Sequence, residues 1–158
     1  MLKIGQKAPD FELLDDRSKP FRLADASGQP VVLYFYPKDD SETCNVENSG
    51  FSDLAAKFAK SNAVLLGISP DSVESHKRFR AKYGLKVRLL ADPEHKAIVP
   101  YKVWGPKKLY GRDYMGLIRT TYLIDAKGNV AEAWKVTRAR GHAEKVLDAV
   151  KALSQSTT

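Results

Sequence analysis

One cysteine occurs in the chain, Cys44, at the end of the run Pro37-Lys38-Asp39-Asp40-Ser41-Glu42-Thr43-Cys44. A lone thiol closes no intrachain disulfide, so it is either a buried, inert side chain or a reactive one. The neighbouring sequence bears on that choice. Residues 31–36 form a continuous apolar run rich in β-formers, the pattern of a strand buried on both faces, and Pro37 ends it. Downstream, Phe51, Leu54, Ala55 and Phe58 recur at i, i+3, i+4 and i+7, the spacing of one helix face. Ser41 and Thr43 are candidate N-caps, which predicts a helix beginning close to Cys44. The first amides of a helix lack intrahelical partners and carry the positive end of the peptide dipoles, so an anion is favoured there. Thiols so placed ionise more readily than free cysteine. Cys44 also precedes Phe51 by seven residues, on or near the inward face, which predicts partial shielding without deep burial.

The elements that must hold this thiol follow from the same kind of reading. Short segments at 11–14 and 21–23 suggest a small hairpin, and 63–68 a second buried strand. Asp71 with Glu74 resembles a capping box for a second helix, which should end near Gly84. A strand at 87–90 and a helical turn or two after Asp92-Pro93 come next. Residues 100–116 lack periodicity and hold three glycines, so they read as a loop. Strands at 118–124 and 130–134 flank a turn containing Gly128, and Val146, Leu147, Val150 and Leu153 mark a closing amphipathic helix. The order implies an α/β fold: a mixed central sheet with helices on both faces and an N-terminal β-hairpin extension, in one thioredoxin-like domain over 1–158.

Bulk properties narrow the partners. At 158 residues, 43% hydrophobic and 28% charged, the chain suits one globular domain. No apolar run approaches the ~20 residues of a membrane span, and the N-terminus has no signal-peptide pattern, so a soluble cytoplasmic protein is expected. The net charge of +7 is spread without a basic run of five, which argues for a solvated surface rather than nucleic-acid binding. His76, His95 and His142 lack ligand-like spacing, and no phosphate-cradling glycine motif is present, so neither metal nor other cofactor is expected. Size suggests a monomer or a weak homodimer.

The segment Tyr34-Phe35-Tyr36-Pro37-Lys38-Asp39-Asp40-Ser41-Glu42-Thr43-Cys44 resembles the active-site segment of the bacterioferritin-comigratory-protein (PrxQ) peroxiredoxins. Their Pro-x-x-x-Thr/Ser-x-x-Cys pattern is met by Pro37, Ser41 and Cys44. The resemblance continues through Val103-Trp104-Gly105, Lys107-Lys108-Leu109-Tyr110-Gly111, Tyr114-Met115-Gly116 and Ile118-Arg119-Thr120-Thr121-Tyr122-Leu123-Ile124-Asp125. It implies a thiol-dependent peroxidase in which Cys44 attacks a peroxide and becomes a sulfenic acid. Ser41, the Cys44 amide and Arg119 would then stabilise the leaving oxygen, while Pro37 closes one side of the pocket. Arg119, in an otherwise apolar or hydroxyl-bearing run, needs an anionic partner, and the Cys44 thiolate is one candidate. Glu47, one turn after Cys44, either orients Arg119 or is an acid favoured by the helix dipole.

The chain departs from its relatives at the second cysteine that many of them use to resolve the oxidised one. Ser49 and Arg80 occupy those positions. The implied cycle is of the one-cysteine kind, with an external thiol (a thioredoxin, a glutaredoxin or glutathione) as reductant. A thioredoxin-like disulfide exchanger would require Cys-x-x-Cys, which is absent. A redox sensor that turns over slowly is the non-enzymatic alternative.

Overall fold

The computed structural model describes residues 1–156, with the side chains of Leu109 and of 154–156 outside the described set. Its frame is a seven-stranded mixed sheet whose strands lie in the order β2 (Pro20–Arg22), β1 (Glu12–Asp15), β5 (Arg88–Ala91), β4 (Val64–Ser69), β3 (Val31–Phe35), β8 (Thr120–Ile124) and β9 (Val130–Lys135). The central strands β3 (Val31–Phe35) and β4 (Val64–Ser69) pair in parallel, and β4 pairs in parallel with β5 (Arg88–Ala91). All five residues of β3 are buried, as an unbroken apolar run requires. The strands β8 (Thr120–Ile124) and β9 (Val130–Lys135) add the antiparallel edge. At the other edge, the hairpin of β1 (Glu12–Asp15) and β2 (Pro20–Arg22) joins β5.

Side chains alternate across β3 and divide the core in two. Val32, Tyr34 and Tyr36 face a cluster containing Phe51, Phe58, Phe79 and Val146, contributed by α1 (Glu42–Asp53), α2 (Ala55–Lys60), α3 (Val73–Tyr83) and α4 (His142–Ser156). Val31, Leu33 and Phe35 face the opposite cluster, closed by the 3-10 turn Leu23–Ala26 and by Ala97, Ile98 and Tyr101. Those last residues lie in hydrogen-bonded turns between His95 and Lys102, the short helical stretch expected after Asp92-Pro93. Asp92 holds them by accepting from the amides of Lys96, Ala97 and Ile98.

Three local expectations are corrected. The 100–116 loop is instead a separate two-stranded arm, β6 (Trp104–Leu109) with β7 (Arg112–Leu117). Tyr110 and Gly111, both at positive φ (51° and 77°), form its two-residue turn, the backbone that matches strand twist. The arm hid its period because much of it is exposed, so no apolar alternation was needed. The face Phe51-Leu54-Ala55-Phe58 is divided between α1 and α2 by a break at Leu54, whose φ and ψ (−102°, 4°) leave the helical region. The cap of α3 is Ser72, which accepts from Ser75 N at 3.1 Å. Asp71 is occupied elsewhere, accepting from Ser69 Oγ and from the Asp39 amide. Gly84 ends α3 in the left-handed conformation, as the sequence predicts.

Candidate active site

Topology brings Arg119 to Cys44. The chain leaves β3 at Phe35, turns through Pro37 and enters α1, while the paired strand β8 begins at Thr120, directly across from Phe35. Arg119 stands in the short junction between β7 and β8, just outside the strand expected to hold it. Its carbonyl accepts from Val136 N at 2.9 Å, which ties the junction to β9. From there the guanidinium reaches two groups of α1. Nη2 donates to Cys44 Sγ at 3.2 Å, and Nη1 donates to Glu47 Oε1 at 2.6 Å. Cys44 and Glu47, three residues apart on one helix face, share one cation.

Ser41 is the N-cap of α1. Its hydroxyl accepts from Cys44 N at 3.4 Å and donates to Lys38 O at 3.4 Å. Both bonds are long, so neither group is strongly committed. Pro37 ends β3 and is half-buried, at the head of the loop that leads to Ser41.

The expectation of a partly exposed thiol is corrected: Cys44 is 0% exposed. The inward face of α1 presses it into the cluster with Tyr34, Tyr36 and Phe51, and the Arg119 side chain, itself 13% exposed, bonds its sulfur. Pro37, Ser41 and Arg119 each keep some surface. Tyr34 fixes α1 from below. It stacks on Phe51 at 4.2 Å and donates to Asn48 Oδ1 at 2.7 Å, and Asn48 Nδ2 donates to the Cys44 carbonyl at 3.0 Å.

Burial sets the electrostatics. Desolvation raises the Glu47 carboxyl to about 7 against the pull of Arg119, and its Oε2 is buried with no hydrogen-bond partner among the described residues. Burial opposes the charge on Arg119, but Glu47 and then Cys44 outweigh it and hold the guanidinium above its usual value. Lys107, on the β6–β7 arm, is lowered by burial and by Arg119, while Cys44 pulls it the other way. The Lys107 ammonium donates to Leu117 O at 2.8 Å. Behind the site, His142 sits at the start of α4, 2.9 Å from Thr121 Oγ1, and burial lowers it to about 4.

The loop 38–41 is clamped from α3, which local sequence did not reveal. Asp39 accepts from Tyr36 Oη at 2.6 Å and Ser75 Oγ at 2.8 Å, and lies 2.7 Å from His76 Nδ1. The carboxylates of Asp39 and Asp71 with His76 gather within 4.8 Å of one another, a grouping that the spacing of the histidines did not suggest. Asp40, at a φ of 63°, is bonded by Lys82, Tyr83 and Asn45. Lys82 first, and then Tyr83, lower its carboxyl to about 2. The side chain at 80 donates to Val87 O at 3.0 Å and pairs with Asp16 at 3.7 Å. A groove of about 740 Å³, lined by Asp10, Glu12, Glu74, Glu94 and neighbours, contains none of the Cys44 site.

A thiol on one nitrogen of a half-buried guanidinium, at the capped start of a helix, is an arrangement for stabilising anionic sulfur and oxygen. Comparison with known proteins shows the family. The family model described as AhpC/TSA matches residues 4–133. The chain belongs to the AhpC/TSA family. It is 42% identical over 154 residues to peroxiredoxin Bcp of Bacillus subtilis, covering 98% of each chain. Among solved structures, Xanthomonas campestris peroxiredoxin Q matches with a TM-score of 0.86 at 35% identity over 91% of each chain. A trapped intermediate/ligand complex of the bacterioferritin comigratory protein from the same organism matches at 0.89 and 33%, over 96% of this chain and 99% of that one. The fold is therefore the thioredoxin-like peroxiredoxin fold, and the chain is a Bcp-type peroxiredoxin with a single cysteine. Its substrate is a peroxide and its reductant a thiol. No helix among the described residues is long and apolar enough to cross a membrane.

Proposed function

We propose that this peroxiredoxin reduces hydrogen peroxide and organic hydroperoxides through a Cys44 sulfenic acid that an external thiol then reduces. The observation that carries the proposal is the 3.2 Å bond from Arg119 Nη2 to Cys44 Sγ. A guanidinium in that place favours thiolate and, as the sulfur attacks one peroxide oxygen, can hold the other as it leaves. Ser41 Oγ and the Cys44 amide, joined only by a long bond, are the remaining donors for that oxygen. Pro37 limits water on the open side. The half-buried edge formed by Pro37, Ser41 and Arg119 is the route of approach for a molecule as small as a peroxide.

No second cysteine exists to close a disulfide, so the sulfenic acid passes to an external thiol as a mixed disulfide. Thioredoxin, glutaredoxin and glutathione are the candidate donors. Burial of the sulfur favours a second reading, a redox sensor that is oxidised readily but reduced slowly. Intact-mass measurement after one equivalent of hydrogen peroxide separates them. The peroxidase gains one oxygen, loses it on addition of thiol, and does neither in Cys44→Ala. Oxidation that thiol reverses only over hours supports the sensor; oxidation no faster than that of an unstructured thiol removes both readings.

A further inference from the structure

We propose that Glu47 stores the proton that the departing peroxide oxygen requires, giving it up as Cys44 is oxidised and recovering it as the thiol is restored. The inference rests on the peroxidase reading above and adds a role for Glu47 beyond orienting Arg119.

The argument is one of charge. Arg119 is a single cation bonded to two acidic groups, Cys44 Sγ and Glu47 Oε1, through different nitrogens. The Glu47 side chain is 0% exposed, and its Oε2 has no partner among the described residues. Were both groups ionised, two negative charges would share the one guanidinium that both of them bond, with a buried carboxylate oxygen unpaired, an arrangement that burial penalises severely. The other titratable groups nearby do not relieve this. Tyr34 of β3 spends its hydroxyl on Asn48, and His142 of α4 bonds Thr121. Lys107 of β6, which donates to Leu117 O, is a second cation, but it acts on Cys44 and not on Glu47, and so favours the sulfur as the ionised partner. In the reduced protein, therefore, the thiolate keeps the guanidinium and Glu47 keeps a proton. Burial set against Arg119 alone already holds the carboxyl at about 7, and a thiolate on the same guanidinium raises it further.

Oxidation reverses the preference. Once the sulfur is a neutral sulfenic acid, Glu47 is the only anion left for Arg119, and ionising it restores a one-to-one pair. In the oxidative step the sulfur electron pair forms an S–O bond, the O–O bond breaks, and the displaced alkoxide or hydroxide takes up one proton as the Glu47 carboxyl becomes carboxylate. A first external thiol then displaces water from the sulfenic acid to form a mixed disulfide. A second thiol attacks that disulfide, leaving the external disulfide, the Cys44 thiolate and one proton, which returns to Glu47. Summed over the cycle, one peroxide and two thiols give an alcohol or water, a further water and a disulfide.

Proton stoichiometry tests this directly. In weakly buffered solution at pH 8 with an indicator dye, above the value of about 7 that Glu47 has when Arg119 is its only charged partner, single-turnover oxidation of the wild-type protein by hydrogen peroxide should consume no proton from solvent. Glu47→Gln keeps an oxygen for Arg119 but holds no exchangeable acid, so it should consume one proton per Cys44 oxidised. Infrared difference spectra of the wild type supply a readout that needs no variant: a protonated-carboxyl band disappears on oxidation and returns on adding thiol. Consumption of one proton by the wild type, equal consumption by both proteins, or a carboxyl band that does not change would each overturn the proposal. Failure of Cys44 to oxidise in either protein would instead refute the peroxidase reading, so the two failures are distinguishable.

Discussion

Replacing Arg119 by Met removes the guanidinium while keeping an unbranched side chain of similar reach. At 3.2 Å the attraction between guanidinium and thiolate is about 5 kcal/mol at an effective dielectric of 20. Part of that is offset, because the same cation is also held by Glu47 at 2.6 Å and both partners are desolvated. What remains matches the cost of deleting one preorganised donor from an anion-stabilising site, about 3–4 kcal/mol or roughly 10²–10³ in rate. Arg119→Met should therefore slow the second-order oxidation of Cys44 by that factor. Arg119→Lys, a point charge without two parallel edges, can serve Cys44 or Glu47 but not both, and should fall between. Stopped-flow mixing with hydrogen peroxide, quenched and read by intact mass, gives the rates, and the pH dependence of iodoacetamide alkylation shows whether thiolate is lost in parallel. A loss of less than threefold in Arg119→Met, with the fold intact by circular dichroism, would refute the assignment of Arg119 to the reaction.

Stability should carry the imprint of two displaced acids with opposite slopes. Glu47 sits above its unfolded value, so its contribution is present below about 4.5 and lost as pH rises through about 7, on the order of 3 kcal/mol; urea titrations should show Glu47→Gln gaining on the wild type across that window. His142 sits below its unfolded value of 6.5, so its contribution is present above that pH and lost as pH falls through about 4; His142→Gln should flatten the acid side of the same profile. Asp39→Ala strips the acceptor from Tyr36 and from the buried His76 ring and should cost on the order of 3 kcal/mol, with slower oxidation of Cys44 because the 38–41 loop loses its anchor. Gly67→Ala would place a methyl 2.7 Å from the Tyr34 ring, which stacking on Phe51 and the bond to Asn48 prevent from moving aside; denaturant midpoints should register a loss of about 1–3 kcal/mol.

The frame of this site was legible wherever burial imposes a local pattern. The unbroken apolar run of β3, the Ser41 cap and the Phe51 face located Cys44 at a helix start, while Arg119 came from the family resemblance, supported by the cost of a charge in an otherwise apolar run. Glu47 was legible as a neighbour of Cys44 on the helix, but its lone Oε2 was not, since that depends on what Tyr34 and Asn48 do with their own hydrogen bonds. The arm of β6 and β7 escaped notice because a ribbon that buries little need not alternate, and its glycines resemble those of a loop. Asp39 and His76 are 37 positions apart and meet only because α3 crosses the end of β3, so no local spacing could pair them. The depth of Cys44 is likewise a property of packing from several directions, not of its place on one helix.

The most direct test of the account compares one thiol in two states. The rate of Cys44 oxidation by hydrogen peroxide is measured in the folded protein and in the same protein unfolded in denaturant, at equal pH and expressed per thiolate. If the helix start, Ser41 and Arg119 stabilise the leaving oxygen, the folded thiolate reacts at least a hundredfold faster despite its burial. Equal rates, or a slower folded protein, would mean that the fold merely shelters its sulfur.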